Sequence, residues 1–144
     1  MNARFSAPPD GQLYYCVVGS PVAHSKSPQI HRAFAAQFGI DLVYDRVEVK
    51  SGDLASVLAS FRECGGRGLN VTLPLKEEAF ALGDTSTERA RVAGVSNTVW
   101  FDEEGQIHTD NTDGVGLLRD LTVNRQLSLE GSTVLLLGAG GAAR

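Results

Sequence analysis

The sequence predicts an α/β fold: an open, three-layer, mostly parallel sheet with one antiparallel hairpin strand, followed by the truncated start of a second domain. Three observations carry that prediction. Residues 13–18, Leu-Tyr-Tyr-Cys-Val-Val, form a continuous apolar run closed by Gly19 and Pro21, which suits a strand covered on both faces, hence central and parallel. Further on, short apolar strands alternate with helical stripes, the pattern of crossover-connected parallel strands. Around residue 100, two strands are separated only by Asp102-Glu103-Glu104-Gly105, a turn that folds the chain straight back.

Taken in order, the first strand runs into Gly19-Ser20-Pro21-Val22-Ala23-His24-Ser25-Lys26-Ser27-Pro28. Ser27 is placed to cap the next helix, with Pro28 at its first position, where a missing N–H costs nothing. The free N–H groups of that turn, with the Ser25 and Ser27 hydroxyls, suit a carboxylate or phosphate. An ordinary capped helix start explains the same residues. Ile30, Ala33, Phe34 and Phe38 recur at helical spacing and Gly39 supplies the stop. Residues 43–49 alternate, with Val43, Val47 and Val49 on one side and Tyr44, Arg46 and Glu48 on the other, so this strand is half exposed and near an edge. Asp53 is predicted to cap a helix whose Leu54, Val57, Leu58 and Phe61 form one stripe, ended by Gly65-Gly66.

The third strand, residues 68–72, places Leu69 and Val71 on one face and Asn70 and Thr72 together on the other. Pro74 opens the next helix, with Lys76 in its first turn, where a cation is electrostatically disfavoured. Either a solvated surface lysine or a functional one fits. Thr85-Ser86-Thr87-Glu88 has the form of a capping box. Residues 95–101 and 106–109 make the hairpin, and Asp110-Asn111-Thr112-Asp113-Gly114 leads into a helix marked by Val115, Leu118 and Leu121. Asp113 falls in its first turn, where a carboxylate is favoured. Residues 133–137 read as a strand leading into Gly138-Ala139-Gly140-Gly141-Ala142, the G-x-G-x-x-A opening of a dinucleotide-binding βαβ unit. The predicted layout is an α/β domain over residues 1–112, a connector helix over 113–131 and the start of a dinucleotide-binding domain over 132–144.

Composition excludes little except nucleic acid and anionic membranes. The 144 residues are 42% apolar and 21% charged, with a formal net charge of −4 and no cluster of Lys or Arg. Any anion site must therefore rest on local donors. Cys16 and Cys64 have no metal-ligand spacing and read as small hydrophobes, so no metal is expected. Without an apolar leader or a membrane-length run, the cytoplasm is the expected compartment.

Ser25-Lys26-Ser27-Pro28, Asn70-Val71-Thr72-Leu73-Pro74-Leu75-Lys76, Ala93-Gly94-Val95-Ser96-Asn97-Thr98 and Asp110-Asn111-Thr112-Asp113-Gly114 occur in this order. Together they resemble the shikimate dehydrogenase family, from Tyr15 to Arg144. The resemblance implies NADP-dependent reduction of 3-dehydroshikimate to shikimate in aromatic amino acid biosynthesis, with the substrate held by an N-terminal α/β domain and NADP by a C-terminal Rossmann domain. It implies that Ser25 and Ser27 bind the substrate carboxylate. Asn70, Thr72, Asn97 and Asp113 match ligands of the ring hydroxyls, Lys76 and Asp113 the catalytic pair, and Gly138, Ala139, Gly140, Gly141 and Ala142 the cofactor loop. The family usually has Ala-Val where this sequence has Val95-Ser96, and the retained Asn97 makes that difference one of packing. Two alternatives stay open: a quinate or dual-specificity enzyme using NAD, and a non-catalytic small-acid binding module. The partner implied is the small-molecule substrate; a homodimer is compatible with the sequence. Because the chain stops inside the phosphate loop, these residues alone are expected to show no dehydrogenase activity.

Overall fold

The computed structural model describes residues 5–140 and residue 143. Six strands, β1 (Leu13–Gly19), β2 (Leu42–Glu48), β3 (Gly66–Val71), β4 (Thr85–Ser86), β5 (Thr98–Phe101) and β6 (Ile107–Asp110), form one sheet in the order β2-β1-β3-β5-β6-β4. β1 pairs in parallel with both β2 and β3, and β4 with β6, while β5 is antiparallel to β3 and β6. The predicted mixed, mostly parallel sheet is present, with β5 alone running against the others. The helices are α1 (Ser27–Gln37), α2 (Leu54–Glu63), α3 (Lys76–Ala81), α4 (Glu88–Ala93) and α5 (Asp113–Arg119), which continues as a π-helical turn over Asp120–Asn124.

Alternation along β1 explains the layering. Cys16 and Val18 face a core built with Leu54, Val57, Leu58 and Phe61 of α2 and Leu75 and Ala79 beside α3. The Phe61 ring meets Tyr14 and Phe5 edge-on or tilted, at centroid distances of 4.8 and 4.9 Å. Val17 and Tyr15 face the other side, with Val22, Leu42 and Tyr44 under α1. Burying each large apolar side chain of the α2 stripe contributes roughly 1.5–3 kcal/mol, so the predicted helix is anchored chiefly by its inward face.

Several expectations are corrected. α1 buries only Pro28 and Ala35, leaving Ile30, Phe34 and Phe38 exposed. The sheet face beneath it is filled by Tyr15, Leu42 and Tyr44, and α1 offers a small residue to it rather than its bulky stripe. Tyr44, read as outward-facing, is 2% exposed. Ser27 does not cap α1; it is the first helical residue, and its N–H donates to Ser25 Oγ at 3.2 Å. Asp53 occupies the N-cap of α2 without a side-chain bond. The Glu78 carboxylate of α3 accepts instead from the N–H groups of Gly52 and Leu54, at 2.9 and 3.0 Å. In the expected capping box, Thr87 rather than Thr85 caps α4, because Thr85 and Ser86 pair with β6.

α5 buries none of its residues. Residues 133–137 form no strand, and Val134, Leu135, Leu136 and Leu137 are exposed. An isolated strand leaves its backbone groups unpaired, and the six-stranded sheet gives this segment no neighbour.

Candidate functional site

The loops that leave β1 and β3 run to opposite faces of the sheet, β1 into α1 and β3 toward α3. That divergence opens a crevice at the carboxyl ends of the strands, the usual ligand position in open α/β sheets. The loops themselves pack closely. Ser20 N–H donates to Leu73 O and Thr72 N–H to Val18 O, both at 2.9 Å. A Cβ on Gly19 would lie 2.3 Å from Thr72 Cγ2, so only glycine lets the two loops meet. The result is a cavity of about 410 Å³ whose lining includes Ser25, Ser27, Asn70, Thr72, Lys76, Asn97 and Asp113. All seven residues singled out in the sequence for substrate or catalysis therefore face one space.

At one end, Ser25 Oγ lies 3.1 Å from Ser27 Oγ at the start of α1. Arg46 of β2 braces this loop from outside by donating to the Ser25 carbonyl at 2.7 Å. At the other end, Lys76 Nζ lies 2.5 Å from Asp113 Oδ2, with the lysine side chain 14% exposed. Both residues begin helices. A cation at a helix N-terminus is opposed by the dipole, and the partner carboxylate offsets this. Asn97 completes the group, donating through Nδ2 to Asp113 Oδ1 at 2.8 Å and to Thr112 Oγ1 at 2.9 Å. Its Oδ1 accepts from Thr112 N–H at 3.1 Å.

Because β5 is antiparallel, Asn97 precedes it at the same rim where β6 delivers Asp110 and Asn111. Asn111 Oδ1 accepts from the Asp113 N–H at 3.0 Å. Asp110 is buried; its carboxylate takes both arms of the Arg89 guanidinium, the Thr87 hydroxyl at 2.6 Å and the Asn111 N–H at 2.7 Å. These bonds, Arg89 foremost, hold its carboxyl below the usual carboxylate range despite burial.

Sequence reading missed His31 and Tyr44. His31 lines the cavity, stacks on the Tyr44 ring at 4.4 Å and places Nδ1 2.9 Å from the Ser27 carbonyl. Tyr44 donates to Asn70 Oδ1 at 2.5 Å. The signal was present in β2, where an aromatic and an arginine alternate on the side facing α1. Val95 and Ser96 are fully buried, and Ser96 Oγ has no hydrogen-bond partner among the described residues.

The cofactor loop does not come together in the same way. Gly138, Ala139 and Gly140 are exposed and belong to no strand or helix, and Gly141 and Ala142 lie outside the described residues. The described part of this segment thus forms no strand–loop–helix cradle for a dinucleotide. A larger, mostly apolar groove of about 880 Å³ lies between α4 and α5, lined by Val92, Ala93, Val115 and Leu117 and sharing Asp113 with the polar cavity. Among the described residues no group of three or more His, Cys, Asp or Glu could hold a metal, and no helix is long and apolar enough to cross a membrane.

A doubly covered sheet that opens at its carboxyl rim onto a polar cavity with a lysine–aspartate pair is an α/β domain with room for a small polar molecule. A family model described as the shikimate dehydrogenase substrate binding domain matches residues 17–99. The chain is 52% identical over 130 residues to the shikimate dehydrogenase (NADP(+)) of Alcanivorax borkumensis, covering 90% of this chain and 46% of that protein. It is 55% identical over 129 residues to the one from Cupriavidus taiwanensis, covering 90% and 43%. Among solved structures, shikimate 5-dehydrogenase from Thermus thermophilus in complex with shikimate superposes with a TM-score of 0.84, at 37% identity, over 92% of this chain and 49% of that one. The chain belongs to the shikimate dehydrogenase family, and it spans about half the length of the curated relatives it matches.

Proposed function

We propose that this chain is the substrate-binding part of an NADP-dependent shikimate dehydrogenase, which reversibly reduces 3-dehydroshikimate to shikimate on the route to aromatic amino acids. The observation that carries the reading is the Lys76–Asp113 pair, 2.5 Å apart, set in the same cavity as Ser25, Ser27, Asn70, Thr72 and Asn97. The two serine hydroxyls and the first turn of α1 receive the carboxylate. Asn70, Thr72, Asn97 and Asp113 bind the ring hydroxyls. Reduction of the C3 carbonyl builds negative charge on its oxygen, and the Lys76 ammonium stabilises that charge and gives up a proton; in the reverse direction the amine takes it back. Asp113, fixed by Asn97 and Asn111, keeps the lysine in register. NADP is the cofactor in the names of the relatives, and the chain's own part lies on the substrate side.

Two further parts belong to the same proposal. The exposed Ile30, Phe34 and Phe38 of α1, beside edge strand β2, support a homodimer, which sedimentation equilibrium tests. Two free cysteines, Cys16 and Cys64, support a cytoplasmic setting.

Calorimetry with the chain tests the site directly. Shikimate is expected to bind, and cyclohexene-1-carboxylate, which keeps the acid and lacks the hydroxyls, to bind far more weakly. Equal affinity for the two, or no shikimate binding by the folded chain, overturns the reading.

A further inference from the structure

We infer that Tyr44 is a positioning residue that sets which side of the Asn70 amide looks into the cavity, so that this position donates a hydrogen bond to a ligand hydroxyl. The inference rests on the reading of the cavity as a site for a hydroxylated ring acid. Tyr44 lies on β2, at the sheet edge, and Asn70 on β3, with β1 between them. The phenol reaches past β1 and donates to Asn70 Oδ1 at 2.5 Å. The ring is 2% exposed and pinned by the stacked His31.

The direction of the bond follows from its neighbours. Burial raises the phenol's pKa well above its ordinary value, so the proton stays on the oxygen, and the acceptor within its reach is Asn70 Oδ1. Asn70 Nδ2 faces the Asn97 carbonyl at 3.5 Å, a contact too long to hold the amide alone. Turning the amide over would set its oxygen against that carbonyl, two acceptors facing, and would leave the buried phenol proton without its acceptor. With Oδ1 taken by Tyr44, the amide has one N–H left for the cavity it lines. Asn70 therefore presents a donor, and a ligand oxygen accepts.

The test is a double-mutant cycle read by calorimetric shikimate affinity: parent, Tyr44→Phe, Asn70→Ala and the double variant. Tyr44→Phe is expected to weaken binding by about tenfold, and the double variant to be within about twofold of Asn70→Ala, because both changes remove one function. Losses that multiply in the double variant, or a Tyr44→Phe affinity within about twofold of the parent, overturn the assignment of Tyr44 alone. A folded parent that binds no shikimate overturns the function proposed above as well. Should Tyr44→Phe not fold, the 15N-labelled side-chain amide of Asn70 in the parent gives the same answer. Its N–H signals shift on adding shikimate if the nitrogen faces the ligand, and stay in place if the oxygen does.

Discussion

Lys76 is the first residue of α3 and Asp113 the first residue of α5, and their charged groups meet at 2.5 Å at one end of the polar cavity. The aspartate gains from its helix dipole and the lysine is opposed by its own. A lysine in that place is held by its partner rather than by its helix, which suits the proton exchange proposed for it.

Lys76→Ala, in a chimera that continues this chain with the remaining sequence of the Alcanivorax borkumensis enzyme, is expected to lower kcat by at least about a hundredfold with a smaller change in KM. Steady-state kinetics with 3-dehydroshikimate and NADPH measure both. A kcat within a few-fold of the unmodified chimera removes Lys76 from the proton step.

Ser25→Ala is expected to act on affinity, weakening shikimate binding by about tenfold through the lost charge-assisted bond. Calorimetry with shikimate and with its methyl ester separates the roles. The ester should lose much less, and an equal loss for both ligands contradicts a carboxylate contact.

Asp110→Asn keeps the shape of the β6–α5 corner and removes its charge. Since Arg89 and the surrounding donors lower the folded-state pKa of Asp110, its stabilising contribution is full above the unfolded value of about 4 and disappears as pH falls through the lower folded value. Urea midpoints should therefore separate parent and variant by a constant gap from pH 7 to 5, and the gap should close below about pH 4. A gap that persists unchanged to the lowest pH at which both fold rules out this linkage.

Glu78→Ala should destabilise the protein by about 1 kcal/mol, the size of a lost N-cap, whereas Asp53→Ala should cost little. Chemical denaturation of the two variants tests the assignment. The reverse order would return the capping of α2 to Asp53.

The legible part of this protein was the part written locally. Strand period alone put Asn70 and Thr72 on one face, and the run of apolar residues in β1 marked a centre strand because both its faces are covered. Ser25, Lys76 and Asp113 each sit in short segments whose loop and helix-start chemistry could be read without knowing what lies opposite. Tyr44 was lost because period two shows only that it faces away from Val43, and the cover over that side comes from α1, a distant segment. The α1 stripe failed for the related reason that helical spacing defines a face but not what stands against it. Glu78 was invisible as a cap, since it reaches Gly52 and Leu54 from another helix. Residues 133–137 carry a strand composition without a neighbouring strand, and composition alone supplies no hydrogen-bond partner.

The reversed direction of β5 has a practical consequence. Its tight turn, Asp102-Glu103-Glu104-Gly105, lies at the far end of the sheet from Asn97 and Asp113, closed by Gly105 N–H to Asp102 O at 3.1 Å. A fluorophore or a short peptide tag spliced between Glu103 and Glu104 thus sits a full strand length from the polar cavity, and offers a labelling position clear of its lining.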